Sequence, residues 1–156
     1  MDVNVTIRKA KRSDLDSVHE IEVASFNHPY SKDFLALLLR GKPPTYLNLV
    51  AEENEKIVGY TSTRIEDNVG HTLSIAVHPQ KRREGIGSRL MQRTLDKLTG
   101  KCRAMFLEVR KSNVRAQRFY HALGFRKRRV KKGYYNNGED AIIYYKLLDR
   151  KSTITR

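Results

Sequence analysis

The sequence predicts an α/β fold in which one mixed β-sheet lies between helices. In the first half of the chain, short apolar runs joined by polar turns favour antiparallel strands. In the second half, apolar runs alternate with segments of helical spacing, which favours a βαβαβ order. The chain has 156 residues, of which 39% are hydrophobic and 31% charged, and this length and composition are typical of a single folded domain.

Alternating apolar residues predict the first strand at Val3–Ile7. Apolar residues at helical spacing from Leu15 to Ala24 predict the first helix. Ser13 is placed as its N-cap, with Asp16 as a weak capping-box partner, because a side-chain oxygen at that position accepts a hydrogen bond from the first turn.

Ser31 is placed to cap a second, short helix through Phe34–Leu39, and Gly41 ends that helix. Two strands follow at Tyr46–Ala51 and Ile57–Thr63. The polar residues between these two strands predict a hairpin.

The second half begins, after a polar turn that ends at Gly70, with apolar runs and helical segments in alternation. Gly124 is placed to end the last helix. The predicted elements are a strand at His71–Val77, a helix from about Gly85 to Leu98, a strand at Ala104–Val109, a helix at Val114–Leu123, and strands at Phe125–Val130 and Ala141–Leu148. The sequence as a whole thus predicts seven strands and four helices.

The composition excludes several classes of protein. No stretch approaches the roughly 18 consecutive apolar residues of a membrane-spanning helix. The N-terminal segment lacks the apolar core of an export signal, so we expect a cytoplasmic protein with no membrane partner. Cys102 is the only cysteine, which excludes an internal disulfide and a multi-cysteine metal site.

The charge of the chain is strongly positive and unevenly spread. Lys and Arg number 31 against 17 Asp and Glu, which gives a formal net charge of +14. Between Lys101 and Lys132 there are twelve basic residues and one acid, Glu108. Such a segment attracts phosphates and acidic peptides, but it is equally typical of a solvated surface, so charge alone does not select a function.

The segment from Val77 to Ser88 has the most specific pattern. A predicted strand ends there, and Gly85 and Gly87 open a helix directly. Glycines at this point let a ligand approach N–H groups that the first helical turn leaves unpaired. With the positive end of the helix dipole and three neighbouring cations, the segment is suited to a pyrophosphate. The alternative is that the two glycines only form a tight turn.

The motif Arg82-x-x-Gly85-x-Gly87 resembles the Arg/Gln-x-x-Gly-x-Gly/Ala signature of the GNAT superfamily of acetyl-CoA-dependent N-acetyltransferases. Later blocks are similar to the protein N-terminal acetyltransferases of that superfamily, which include ribosomal-protein alanine acetyltransferases and Ard1-type catalytic subunits. These blocks are Leu107–Asn113, Arg118–Phe125, Gly70-His71 and Tyr134–Ala141. The resemblance covers most of the chain, from about Val5 to Leu147.

The resemblance implies a fold and a set of cofactor contacts. The implied fold is one acetyltransferase domain over residues 1–148, followed by a polar tail at 149–156, with parallel strands that splay apart at the cofactor site. No metal is expected to be required. The residues implied to contact acetyl-CoA are Ile75, Ala76 and Val77 along the pantetheine, Arg82, Arg83, Glu84, Gly85, Ile86, Gly87 and Ser88 at the pyrophosphate, and Asn113 and Tyr120 near the thiol.

The resemblance also implies that Glu108 is a general base and Tyr120 a general acid. Attack of an amine on a thioester needs an acceptor for the amine proton and a donor for the departing thiolate. From the residues alone, Glu108 could equally form a structural ion pair, and Tyr120 could be a core aromatic. His71 opens the strand expected next to that of Glu108, where it could assist proton removal, share an adventitious metal with Glu108, or only form a hydrogen bond.

Three tyrosines match positions at which the protein N-terminal acetyltransferases bind the backbone of the substrate peptide: Tyr30, Tyr134 and Tyr135. The paired tyrosines could instead pack at a sheet edge. Eukaryotic Ard1-type enzymes carry a glutamate in the loop that corresponds to Phe26–Ser31, and this chain has none there. Substrate preferences that depend on that acid are therefore not carried over.

The expected reaction is direct transfer of the acetyl group from acetyl-CoA to the N-terminal α-amine of proteins in a ternary complex. An α-amine has a pKa of about 7.7–8.0 and lysine about 10.4, so the α-amine is far more often neutral near pH 7. Protein N-termini are the expected partners, with the ribosome or an auxiliary subunit as further candidates and nucleic acid as a non-specific ligand. The alternatives are a GNAT lysine or small-molecule acetyltransferase, and a basic ribosome- or nucleic-acid-binding module without activity.

Overall fold

The computed structural model of the protein describes residues 4–40 and 45–148. Its elements, in chain order, are β1 (Val5–Lys9), α1 (Leu15–Ser25), α2 (Lys32–Arg40), β2 (Tyr46–Glu53), β3 (Lys56–Glu66), β4 (Val69–Val77), α3 (Ile86–Leu98), β5 (Ala104–Arg110), α4 (Val114–Ala122), β6 (Arg126–Lys131) and β7 (Ala141–Leu147). Within the described residues these seven strands form one sheet in the order β1-β2-β3-β4-β5-β7-β6. The predicted α/β class with one mixed sheet is confirmed. Val3, Gly41 and the tail 149–156 lie outside the described residues, and the single-domain boundary stays a prediction.

The described chain divides into two compact units. The first contains the chain up to Ile65 together with Thr72–Lys97, and the second contains Glu66–His71 together with the chain from Leu98. In the first unit, α3 packs in one buried cluster with Leu49 and Ala51 of β2, while α1 and α2 pack in another with Val50. Because neighbouring residues of a strand point to opposite faces, the two clusters cover opposite faces of the sheet.

Tight turns join β2 to β3 and β3 to β4. Both central residues of each turn have positive φ, namely Asn54 (51°) and Glu55 (67°) in the first and Asp67 (54°) and Asn68 (63°) in the second. Two such residues make the type I′ turn whose twist matches that of paired strands. The predicted hairpin between β2 and β3 is confirmed, whereas the second turn is shorter than predicted because Gly70 already lies in β4.

The start of α1 differs from the prediction. Ser13 lies inside a short 3₁₀ turn that precedes the helix. The carboxylate of Asp14 closes this turn, because it accepts hydrogen bonds from the backbone N–H of Lys11 at 2.7 Å and from the guanidinium of Arg8 at 2.9 Å. The prediction that Ser13 caps the helix with Asp16 as its partner is therefore wrong.

The other predicted helix ends within the described residues are confirmed. Ser31 caps α2, since its Oγ accepts a hydrogen bond from the N–H of Phe34 at 3.1 Å. Gly124 follows α4 with a φ of 96°, a conformation that favours glycine.

In the second unit, β7 lies between β5 and β6. β4 is parallel to β5 at Val69–His71, whereas β7 is antiparallel to both β5 and β6. The βαβαβ order exists along the chain, but β5 and β6 are not neighbours in the sheet. β6 therefore forms one edge of the sheet, and a register shift between Lys127 and Arg129 marks a bulge in it.

Candidate active site

In the segment between β4 and α3, two hydrogen bonds fix the side chain of Arg82. Arg82 donates a hydrogen bond from Nε to the carbonyl oxygen of Val77 at 2.9 Å and another from its guanidinium to Ser25 Oγ at 3.1 Å. Lys81, just before it, forms an ion pair with Glu53 at 2.6 Å, and this hydrogen bond raises the pKa of Lys81. Arg82 thus ties the loop to the end of β4, a role that the sequence did not reveal.

The backbone after Arg82 has the shape of an anion site. Arg83 and Gly85 have positive φ values of 69° and 82°, and a side chain on Gly85 would meet no atom within 4 Å. Glycine is therefore favoured at this position by backbone conformation rather than by lack of space. The first helical hydrogen bond runs from Arg89 N–H to Gly85 O at 3.0 Å, so the N–H groups of residues 86–88 precede the helical pattern and are available to an anion.

The pantetheine residues of the prediction lie at the end of β4. The parallel register of β4 with β5 covers Val69–His71, and Ile75, Ala76 and Val77 lie beyond it. Ile75 and Val77 pack against the cluster that contains α3, and Ala76 is buried in the cluster that contains α1. Their side chains hold the strand in place, so a ligand along this strand would meet backbone groups.

The two predicted proton-transfer residues of β4 and β5 lie together, as the expected sheet order predicted. His71 Nε2 and Glu108 Oε1 are 2.8 Å apart, and the two side chains are 17% and 11% exposed. The His71 ring stacks on Phe106, with centroids 4.3 Å apart and planes 13° from parallel. Within the described residues Glu108 therefore pairs with the imidazole of His71 rather than with Lys or Arg, and this hydrogen bond orients the carboxylate.

Tyr120 lies in α4 among aromatic side chains. It is buried, and its ring contacts Phe119, Phe125 and Tyr144 with centroids 5.1 to 6.4 Å away. Burial, reinforced by the nearby Tyr135, raises the pKa of Tyr120 above the ordinary tyrosine range. The ring packs as a core aromatic, and the phenol keeps its proton at neutral pH.

The loop between β6 and β7 carries Tyr134 and Tyr135, whose rings meet edge to face at 4.9 Å. Burial raises the pKa of Tyr135 to about 12; Arg110 opposes this shift and Glu108 adds to it. Burial followed by the charge of Glu108 also raises the pKa of Tyr134. The charge of the candidate base Glu108 therefore affects the pKa of both phenols.

Two residues that hold this loop carried no role in the sequence prediction. The Arg110 guanidinium lies 3.9 Å above the Tyr135 ring and donates a hydrogen bond to Glu139 at 2.9 Å. Glu139 also accepts from the backbone N–H of Ser112 at 2.8 Å, and these bonds lower the pKa of Glu139. Arg110 follows Glu108 by two residues on β5 and so shares its face, which is the signal in the sequence that could have found it.

Tyr30 is anchored in the first unit. Its phenol donates to the carbonyl oxygen of Leu73 at 3.2 Å, and its backbone N–H donates to Glu22 at 3.0 Å. Glu22 is a buried carboxylate that also accepts from the hydroxyls of Tyr60 and of Ser74, the latter at 3.1 Å. Glu22, which the sequence analysis also missed, joins α1, β3 and β4 to the segment that leads into α2. A single buried carboxylate in a helix has no sequence pattern that reveals it.

Asn113, which was predicted to lie near the thiol of acetyl-CoA, is the N-cap of α4. Asn113 precedes α4, and its Oδ1 accepts a hydrogen bond from the N–H of Ala116 at 3.0 Å. In the residues that the structure describes, no three His, Cys, Asp or Glu side chains gather as metal ligands. None of the helices in that part of the chain is long and apolar enough to cross a membrane.

Comparison with known proteins assigns the chain to a family. Residues 15–125 match the model of the acetyltransferase (GNAT) family. An uncharacterized N-acetyltransferase of Methanocaldococcus jannaschii is 38% identical over 143 residues, which is 90% of each chain. The N-alpha-acetyltransferase of Saccharolobus solfataricus is 33% identical over 152 residues, 88% of this chain and 90% of that protein. The crystal structure of the ribosomal-protein-S18-alanine N-acetyltransferase from Escherichia coli matches with a TM-score of 0.86 and 29% identity over 97% of this chain and 99% of that one. The chain therefore belongs to the acetyltransferase (GNAT) family.

Proposed function

We propose that this acetyltransferase moves the acetyl group of acetyl-CoA to the N-terminal α-amine of proteins. The observation that carries the proposal is the 2.8 Å contact between His71 and Glu108, which orients the carboxylate that we propose as the acceptor of the amine proton. Two of the relatives compared above are named for acetylation at α-amines or at the alanine of a ribosomal protein. Acetyl-CoA supplies the activated acetyl group as a thioester.

Glu108 accepts a proton from the neutral α-amine, directly or through one water, as the amine nitrogen forms a bond to the thioester carbonyl carbon, and Glu108 later releases that proton to solvent. As the C–S bond breaks, Tyr120 gives its phenolic proton to the departing sulfur and regains one from solvent. The raised pKa of Tyr120 means that the phenol still carries its proton at neutral pH. His71 orients the carboxylate through its hydrogen bond and so acts as the positioning partner of the base.

Direct transfer needs no acetyl-enzyme intermediate. Cys102 is the only thiol of the chain, and it is buried. Burial raises the pKa of Cys102, so it carries little of the thiolate that a covalent route requires. The burial of Cys102 therefore supports a mechanism in which the amine attacks acetyl-CoA directly in a ternary complex.

The segment from Val77 to Ser88 is suited to the pyrophosphate of acetyl-CoA. The N–H groups of residues 86–88 precede the helical hydrogen-bond pattern, and Arg83 and Gly85 turn the backbone toward the helix start. The side chain of Arg82 bonds to Val77 and Ser25 and so supports the loop, while its contact with the pyrophosphate stays a prediction. The backbone of Ile75–Val77 is proposed to pair with the pantetheine.

The α-amine suits a modest base better than lysine does. Near pH 7 roughly a tenth of α-amines are neutral, against well under a thousandth of lysine side chains. Protein N-termini in the cytoplasm are the proposed partners, and the ribosome or an auxiliary subunit are proposed as sites of encounter. The alternative reaction, on lysine or small amines, is distinguished by the following experiment.

A peptide with a free α-amine and one internal lysine is incubated with acetyl-CoA, and a second peptide differs only in having its α-amine blocked. We expect CoA release with the first peptide alone, and mass spectrometry should place the acetyl group at the α-amine. Glu108→Gln should lower kcat by about a hundredfold or more. Glu20→Gln, which removes an exposed carboxylate of α1, should leave it unchanged.

Tyr120→Phe should also lower kcat, whereas Tyr144→Phe, which removes another buried phenol, serves as its control. Acetylation of the blocked peptide at lysine would replace the proposed reaction by the alternative one. Full activity of Glu108→Gln would remove Glu108 from the mechanism.

A further inference from the structure

The sheet face that carries Glu108 continues across the second unit to the edge strand β6. Residues paired directly across neighbouring strands point to the same face of a sheet. The register of β5, β7 and β6 therefore defines three rows that share the face of Glu108. The rows are Phe106–Tyr145–Arg126, Glu108–Ile143–Arg129 and Arg110–Ala141–Lys131. Each row ends in a cation on β6.

The bulge in β6 assembles these cations on one face. In a regular strand, Arg126 would share its face with Arg128 and Val130, because side chains alternate. The register shift between Lys127 and Arg129 adds one residue, so Arg129 and Lys131 instead take the face of Arg126. The Arg128 guanidinium also lies over this face, 4.8 Å from the ring centroid of Tyr145. We call Arg126, Arg128, Arg129 and Lys131 the β6 cation row.

The β6 cation row is not neutralised within the part of the chain that the structure describes. Its side chains contact the carbonyl oxygen of Phe125 and the rings of Tyr145 and Tyr134, and within the described residues none pairs with a carboxylate. The described residues of the second unit contain thirteen Lys and Arg against five Asp and Glu, a net charge of +8. The three arginines of the row are exposed. Such a row attracts an anionic ligand.

Tyr134 connects the β6 cation row with the candidate base. Tyr134 is 45% exposed, and the Lys131 ammonium lies 5.4 Å from the centroid of its ring. Burial raises the pKa of the Tyr134 phenol, and the charge of Glu108 adds to this shift. A peptide backbone held at Tyr134 would therefore have Glu108 near one part and the row near another.

We propose that the β6 cation row binds acidic side chains of the substrate protein a few residues after its N-terminus, so that this enzyme favours acidic N-terminal segments. The inference rests on the proposed function. Strands lie about 4.8 Å apart, so the row is roughly 10 Å, or two strands, from Glu108. An extended peptide advances about 3.4 Å per residue and reaches the row from about its fourth residue on.

The test compares three peptides that share their first three residues and continue with four glutamates, four glutamines or four lysines. With acetyl-CoA saturating, we expect the KM of the glutamate peptide to be about fivefold below that of the glutamine peptide, and the KM of the lysine peptide to be the highest. We expect kcat to be similar for all three. The advantage of the glutamate peptide should shrink at high salt, because ions screen exposed charges.

The double variant Arg126→Glu, Arg129→Glu should reverse this order of KM values. Lys56→Glu, Arg93→Glu makes the same change in net charge at exposed positions of the first unit and should preserve the order. Equal KM values for the three peptides, or equal loss of preference in both double variants, would overturn the inference. Unchanged peptide preference together with loss of binding to a labelled RNA oligonucleotide in the β6 variant would assign the row to nucleic acid instead. Acetylation of none of the peptides would overturn the proposed function itself.

Discussion

Two contacts of the single residue His71 together orient the candidate base Glu108. Its ring is packed on Phe106, and its Nε2 lies 2.8 Å from Glu108. Because packing fixes the ring, the hydrogen bond fixes the carboxylate that receives the proton. We predict that His71→Phe lowers kcat for a peptide by about tenfold to a hundredfold while the KM for acetyl-CoA stays constant.

His71→Gln separates orientation from proton exchange, because its amide can donate a hydrogen bond to Glu108 but cannot take up a proton. An orienting role predicts that His71→Gln recovers most of the kcat that His71→Phe loses. Steady-state kinetics of both variants provide the measurement. An equally large loss in both variants would contradict the orienting role and make His71 a second proton carrier.

At the scale of an element, contacts within the protein hold the loop between β6 and β7 in place. Glu139 fastens it to the end of β5 through Arg110 and the Ser112 N–H, and Arg110 in turn covers the Tyr135 ring. Since these contacts order the two tyrosines before a substrate arrives, we predict that Glu139→Ala raises the peptide KM about fivefold or more with little change in kcat. The exposed acid Asp96 of α3 offers the control Asp96→Ala. A fall in kcat at constant KM would contradict a role in binding.

Stability in acid is a property of the whole molecule to which Asp14 contributes. Burial alone would raise the pKa of Asp14, but hydrogen bonds from Arg8 and Lys11 outweigh it and the pKa is lowered. A lowered pKa stabilises the fold above the unfolded value of about 3.9, and this contribution is lost as the pH falls through the folded value. We predict that Asp14→Asn costs about 1–2 kcal/mol in the free energy of unfolding at pH 7 and less at pH 3. Urea unfolding at both pH values measures this cost, and an equal cost at both would contradict the account.

The sequence predicted those features of the fold that local chemistry decides. Ser31 and Gly124 act at helix ends through their own side chain or backbone, so the prediction of both was confirmed. Ser13 failed as a cap because Arg8, a residue of another element, holds Asp14 in place. The position of β7 between β5 and β6 depends on long-range pairing, which leaves no local pattern.

In the candidate site, too, some features could be predicted from the sequence and others depend on long-range contacts. The contact between His71 and Glu108 followed from strand order and was confirmed as geometry, while the roles of both residues stay predictions. The network of Glu22 could not be predicted, because its partners come from three separate parts of the chain. The β6 cation row was visible in composition, but its placement on the face of Glu108 depends on a bulge that the sequence does not reveal.

The most direct test of the central claim is the position of the acetyl group on a single peptide that offers both a free α-amine and an internal lysine. Fragmentation mass spectrometry after incubation with acetyl-CoA gives that position. We predict that the acetyl group lies at the α-amine and that Glu108→Gln abolishes most of the product. Acetyl groups found at the lysine, or product formation that does not depend on Glu108, would contradict it.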